Sequence, residues 1–227
     1  MDFQTLVDTD AVGIKIEHDE AVMMLGSCFA EDVGNLLKRS MLALCINPFG
    51  TLYNPRSIAQ SLRRLMADLP FSADELVAYG NLWHSMSHHS RFSSVDKDRA
   101  LQKINAAYAE GVTCLRSARH LIVTFGTAYT FSTADGETVA NCHKMPASMF
   151  NRRMLSANEI ADEWVRLIDD IRKFNPHIDI TFTVSPVRHL ADGAHGNQLS
   201  KSTLLLAADS IMAQRPGVCH YFPSYEI

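Results

Sequence analysis

No apolar run in this sequence approaches the roughly 20 residues that a membrane-spanning helix needs. The opening residues Met1-Asp2-Phe3-Gln4 have neither the basic region nor the apolar stretch of a secretion signal. There is no Cys-x-x-Cys pair. Cys28, Cys45, Cys114, Cys142 and Cys219 are odd in number and scattered, which argues against a disulfide framework or a zinc ribbon and points to reduced thiols in the cytoplasm. No block of like charge occurs and the net charge is −4, so nothing recruits nucleic acid or an anionic membrane. No Gly-x-Gly-x-x-Gly follows a predicted strand, which removes a dinucleotide enzyme. What remains, 47% apolar and 20% charged over 227 residues, suits a single soluble domain with a full core, residues 1–227.

The most informative stretch is Ala21-Val22-Met23-Met24-Leu25-Gly26-Ser27-Cys28-Phe29-Ala30. Five apolar residues run into a glycine, two small nucleophilic side chains follow, and an amphipathic segment begins at once. That pattern describes a strand-to-helix elbow, which holds a hydroxyl or thiol at the carboxyl edge of a sheet. At a helix N-terminus, free N–H groups and the positive end of the dipole stabilise a thiolate or an oxyanion. The plainer alternative is that Gly26 only turns the chain and Ser27 only caps the helix.

Further strands are expected at 41–46, 121–125, 178–184 and 218–222, with helices between them, and Asp135-Gly136 marks a hairpin. Residues 1–20 read as a lead-in covering one sheet edge. Ser156-Ala157-Asn158-Glu159 has capping-box spacing, and Pro55 is placed to open a helix. The plan is a doubly wound, flavodoxin-like parallel α/β sheet of about five strands with helices on both faces. Polar clusters recur where strands end, at 26–28, 47–51, 126–127 and 185–189, and a parallel sheet gathers all of these on one edge. In the last cluster, Arg188 and His189 supply a cation and a base. Residues 71–96 read as the least regular part. His84 and His88 would share a face only if that segment were helical, and no third ligand stands nearby, so no metal is expected. No cofactor is expected either.

Gly26-Ser27-Cys28-Phe29-Ala30 resembles the motif of the GSCFA domain family, grouped with the SGNH, or GDSL-like, hydrolases. Asn47-Pro48-x-Gly50-Thr51, Trp83-His84-Ser85 with His88 and Phe92, Gly126-Thr127-Ala128, Asn141-Cys142-His143-Lys144, Ser185-Pro186-Val187-Arg188-His189 and Asn197-Gln198-Leu199-Ser200-Lys201 are similar to that family as well. The resemblance implies hydrolysis or transfer of ester-linked acyl groups through a covalent acyl-enzyme. Laid on Gly-Asp-Ser, it makes Cys28 the nucleophile, while a register shifted by one makes it Ser27. A thiol needs only a modest electrostatic shift to ionise at neutral pH, which favours Cys28. The resemblance assigns an oxyanion N–H to Gly50. Position 128 is alanine where the superfamily has its oxyanion-hole asparagine, so Asn141 or His143 must stand in.

His88, His89, His143, Lys144 and Arg188 are the expected polar contacts to a small-molecule or carbohydrate ester. The family's Asp-x-x-His-Pro block is absent before Ile227. The expectation is therefore a shortened chain, or a base from elsewhere, with His189 as base and Asp192 as its orienter. The competing reading is a non-catalytic domain that binds a small polar ligand such as a carbohydrate. Oligomeric state is left open.

Overall fold

A computed structural model describes Val7 and residues 14–227. Most of the expected lead-in over residues 1–20 therefore lies outside the described residues. The apolar run at Ala21–Gly26 forms strand β1, and helix α1, Cys28–Arg39, follows after the single residue Ser27. Strand β2 spans Ala43–Ile46, and helix α2 spans Pro55–Met66. Pro55 opens α2 with Asn54 as N-cap, accepting the Ser57 N–H at 2.8 Å. Ile58, Leu62 and Leu65 are fully buried on its inner face.

Residues 71–96 are more regular than their composition suggests. Leu76–Tyr79 (β3) and Leu82–Ser85 (β4) pair as an antiparallel hairpin across Gly80-Asn81. This two-residue Gly-Asn connection is a recognised hairpin signal, and the histidines around it obscure it. Helix α3, Lys97–Ser117, then leads into strand β5, His120–Phe125. The Asp135-Gly136 turn joins β6, Tyr129–Ser132, to β7, Thr138–Val139. A further strand, β8 (Asn151–Met154), pairs with the other edge of β6. Ser156 and Glu159 form the expected capping box at the start of helix α4, Ala157–Phe174. Strand β9 (Asp179–Val184), helix α5 (Gly193–Gln214) and strand β10 (Cys219–Tyr221) complete the chain.

Five strands form one parallel sheet in the order β10-β9-β5-β1-β2. Alternate residues of β1, β5 and β9, among them Met23, Leu25, Val123, Phe125, Phe182 and Val184, face a core shared with α2, α3, α4 and α5. Trp164 of α4 packs edge-on to Phe125 and Phe182 with ring centroids 5.2 Å from each. Helix α1 covers the opposite face, so the fold is a doubly wound α/β sheet. A groove of about 460 Å³ runs there between α1 residues such as Phe29 and Val33 and sheet residues such as Ile122 and Thr183. Its lining is apolar and brings no reactive group.

The winding reverses at β1. The chain moves from β1 outward to β2 and then crosses back to β5, so β1 and β5 are neighbours with opposite exits. In open parallel sheets this reversal opens a crevice at the carboxyl ends. The Gly26 elbow ends β1 at that point, and Gly126 follows β5 beside it.

Candidate active site

Gly26 closes β1 with φ of 141°, and a Cβ there would lie 2.2 Å from the Thr124 carbonyl oxygen. Only glycine fits this contact and this backbone. Ser27 then occupies the N-cap position of α1, yet its side chain makes no cap hydrogen bond. It is 1% exposed, and its Oγ has no partner among the described residues. A buried hydroxyl left unpaired costs about 1–3 kcal/mol. The plain capping role is thus not what holds Ser27 in place. Cys28, the first helical residue, is only half-buried, and of the two nucleophiles it is the one a ligand can reach. The N–H groups of Cys28, Phe29 and Ala30 precede the first possible intrahelical acceptor, so the first turn offers free donors beside the thiol.

Asn47, which follows β2, locks this elbow. Its N–H donates to Met24 O at 2.9 Å, and its side-chain Oδ1 accepts the Gly26 N–H at 2.8 Å. Its own carbonyl accepts from Gly50 N at 2.7 Å and from Arg91 Nη2 at 2.7 Å. Arg91 also pairs with Glu31 of α1 at 2.8 Å, bracing the first helical turn. Asn47 is fully buried in a left-handed conformation, with φ of 47°, which asparagine tolerates better than most residues. Because Oδ1 is bound to Gly26, the Nδ2 of the same amide group lies next to the elbow, and it has no partner among the described residues.

The N-terminal half of α5 gathers the ends of β5 and β9. Asn197 Oδ1 accepts the His189 N–H at 2.9 Å, and Ser200 Oγ accepts the Ala128 N–H at 2.8 Å. Lys201, fully buried, donates from Nζ to Gly126 O at 2.7 Å and to Ser185 O at 2.6 Å. Gly126 in turn touches the elbow, since a Cβ placed on it would be 3.3 Å from Ser27 Cβ. Gly126 and Thr127 both donate their N–H groups to Tyr53 O, at 2.8 and 2.9 Å. The Tyr53 ring stands edge-on to His189 with centroids 5.7 Å apart. Burial, followed by the charge of Cys28, raises the Tyr53 phenol above its ordinary range. Burial and then the Lys201 charge hold His189 below the usual imidazole value, and Asp192 pulls the other way.

Several expected roles are redirected by these contacts. Asp192 does not orient His189 through a hydrogen bond, because its Oδ1 is committed to Arg152 Nη2 at 2.5 Å. The His189 Nε2 is buried without a partner among the described residues. The Gly50 N–H is spent on Asn47 O, so it is not a free oxyanion donor. His88 is a core residue, 1% exposed, stacked on Phe49 with centroids 4.7 Å apart and flanked by Phe71 and Phe92. Its Nδ1 pairs with Ser85 Oγ at 2.8 Å at the end of β4, while its Nε2 is buried with no partner among the described residues.

His143 is also buried, donating from Nε2 to Ser85 O at 2.8 Å and lying against His84. Asn141 Oδ1 accepts the His143 N–H at 2.8 Å, closing its own loop. His89 is half-buried, its N–H on Phe49 O and its Cβ where a side chain on Gly50 would sit. Lys144 and Arg188 are exposed, and neither pairs with an acid among the described residues. No three His, Cys, Asp or Glu residues cluster to hold a metal among the described residues.

Asn47, Tyr53, Ser200 and Lys201 line the elbow in the structure, and sequence reasoning gave none of them a role of its own. One signal was readable for α5. Asn197, Ser200, Lys201, Leu204, Ala208 and Ile211 follow one helical stripe, so its polar members share the buried face of its apolar ones.

Fold and site together define a doubly wound α/β protein that carries a Gly-Ser-Cys elbow at its topological switch point. The GSCFA family model matches residues 21–227, and the chain belongs to the GSCFA family. No curated protein and no solved structure matches it. No helix among the described residues is long and apolar enough to cross a membrane.

Proposed function

We propose that the protein is an SGNH-like hydrolase or acyltransferase that moves acyl groups from ester substrates through a covalent intermediate on Cys28. The observation that carries this reading is the division of labour at the elbow: Ser27 Oγ is sealed in, and Cys28 is half-exposed at the first helical turn. The Cys28 thiolate attacks the acyl carbonyl carbon, forming a C–S bond. The C–O bond to the alcohol then breaks, and the alcohol leaves with a proton. Water or an acceptor hydroxyl next takes the acyl group and frees the sulfur. The negative oxygen of each tetrahedral intermediate is met by the free first-turn N–H groups, without the Gly50 N–H, which is spent on Asn47 O. We assign the proton transfers of the leaving and attacking hydroxyls to His189, whose Nε2, enclosed and without a partner among the described residues, must first be uncovered. The polar surroundings favour a small polar ester such as an acylated sugar, with Lys144 and Arg188 as outer contacts.

A second reading, a non-catalytic domain that binds a small carbohydrate, draws on one observation. Asp192 is bound to Arg152 and not to His189, which leaves no complete triad among the described residues. Separate Cys28→Ala and Ser27→Ala variants, assayed with short-chain aryl esters and labelled with an electrophilic acyl probe, decide between the two. The enzyme reading expects labelling of folded wild type at Cys28 and loss of both labelling and turnover in Cys28→Ala. Turnover unchanged in both variants removes the elbow from the mechanism.

A further inference from the structure

β5 is the middle strand of the sheet, and a parallel strand in that place is expected to be buried on both faces. One face of it falls short. Leu121, Val123 and Phe125 are fully buried in the main core, whereas Ile122, which alternates to the α1 side, is only half-buried. Ile122 lies in the groove of about 460 Å³, and Phe29, Val33 and Leu37 of α1 form the long wall, each of them half-buried as well. At four-residue spacing these three make one stripe about 12 Å long. The volume falls within the roughly 300–1,000 Å³ of small-molecule sites, and a contiguous apolar surface left open marks a place of binding.

The groove has a polar end. Ile14 and Thr181, which line it, also line a second pocket of about 150 Å³, so the two spaces are continuous. This pocket stands at the amino edge of the sheet, where β5 begins with His120 and β9 with Asp179. Its two acids are answered: Glu20 Oε2 pairs with His120 Nε2 at 2.8 Å, and Asp179 with Arg119 Nη2 at 3.1 Å. Its remaining polar groups are Lys15, Thr181 and His220. Lys15 pairs only with the exposed Glu17, a contact that water screens, and His220 pairs with no acid among the described residues. An apolar channel that opens onto a free ammonium and an imidazole is complementary to a long apolar tail with an anionic head.

We propose that groove and pocket together form a binding site for a single-chain fatty acid. The alkyl chain lies along α1 over Ile122, with its methyl end toward Phe29, and the carboxylate meets Lys15 and His220. Burial of the facing apolar surfaces supplies the affinity. The ion pairs that occupy Glu20 and Asp179 keep those acids from repelling the head. This site is on the face of the sheet under α1 and holds whether or not the elbow transfers acyl groups.

Titration calorimetry of the full chain with sodium decanoate tests the proposal, with decanol as the uncharged control. Saturable binding of one decanoate per chain is expected, tighter than decanol. Val33→Trp fills the groove from a half-buried helix position and is expected to weaken decanoate roughly tenfold or more. Lys15→Ala and His220→Gln are each expected to weaken decanoate about threefold and to leave decanol unchanged. If Val33→Trp fails to fold, these two variants still decide the matter. Absence of saturable decanoate binding overturns the site, and so does binding that folded Val33→Trp leaves intact. Equal affinity for decanol, or indifference to both polar-end variants, overturns the fatty acid as its ligand. A dimer in sedimentation that Val33→Trp dissociates, without decanoate binding, gives the groove to a second copy and overturns the proposal.

Discussion

The Asn47 side-chain oxygen accepts the Gly26 N–H at 2.8 Å, bridging 21 positions of sequence inside the core. This contact lets a strand end abruptly in a buried turn, because Gly26 N–H would otherwise have lost both its ladder partner and water. Replacing Asn47 with alanine strands that N–H and puts a side chain less suited to positive φ at 47°. A loss of about 1–3 kcal/mol is expected, measured as a lower urea midpoint with an unchanged slope.

Gly26→Ala attacks the same turn from its other side. The added methyl would meet the Thr124 carbonyl at 2.2 Å, with no flexible side chain to give way. Destabilisation of about 3 kcal/mol or more is expected, enough to show as poor soluble yield or a sharply lowered melting temperature. Wild-type stability in this variant would mean that the elbow is looser than its geometry.

Acid should loosen the histidine-bearing hairpin. Burial among aromatic rings pushes His88 down to about 3 from its ordinary 6.5, with the Arg64 charge adding to the effect, and burial lowers His143 as well. A depressed folded value makes the stabilisation complete above about pH 6.5. Below that, the unfolded chain takes a proton that the folded one refuses, so stability falls by up to about 1.4 kcal/mol per pH unit for His88 until about pH 3. Urea midpoints at neutral and mildly acidic pH measure this. Phenylalanine at 88 suits the surrounding rings and should flatten the slope, whereas an equal slope in His88→Phe assigns the acid sensitivity elsewhere.

The α4 capping box is a smaller and more local device. Glu159 is lowered to about 2 by its Arg153 partner and then by the Ser156 N–H, but it sits largely in solvent. Its charge is worth about 0.5 kcal/mol after screening, a contribution present above about pH 4.5 and lost as pH falls toward 2. Ser156→Ala should cost about 1 kcal/mol, checked by thermal melts at low and high salt. The cap component should persist in salt while the ion-pair component fades.

Local devices were legible along the chain because their causes are local. The glycine at a strand end, the Pro55 helix start, the Ser156–Glu159 box and the Asp135-Gly136 turn each involve residues a few positions apart. The Gly80-Asn81 hairpin was legible too, but the histidines beside it drew attention to ligand chemistry. His88 shows why that failed. A histidine is placed in the core or in a cleft by what stacks on it, and Phe49 and Phe71 lie 39 and 17 positions away.

By itself, the sequence determined that a Gly-Ser-Cys elbow stands at the carboxyl end of a strand, since an apolar run, a glycine and an amphipathic segment end one element and begin the next at that point. Tertiary structure alone decided what surrounds it. Strand order sets β1 between β2 and β5, and this brings Asn47 to Gly26 and Gly126 to Ser27. The packing of α5 across the ends of β5 and β9 carries Lys201 into the interior behind them. These are contacts between residues 16 to 99 positions apart, and only the folding of one sheet with its covering helices can bring them together.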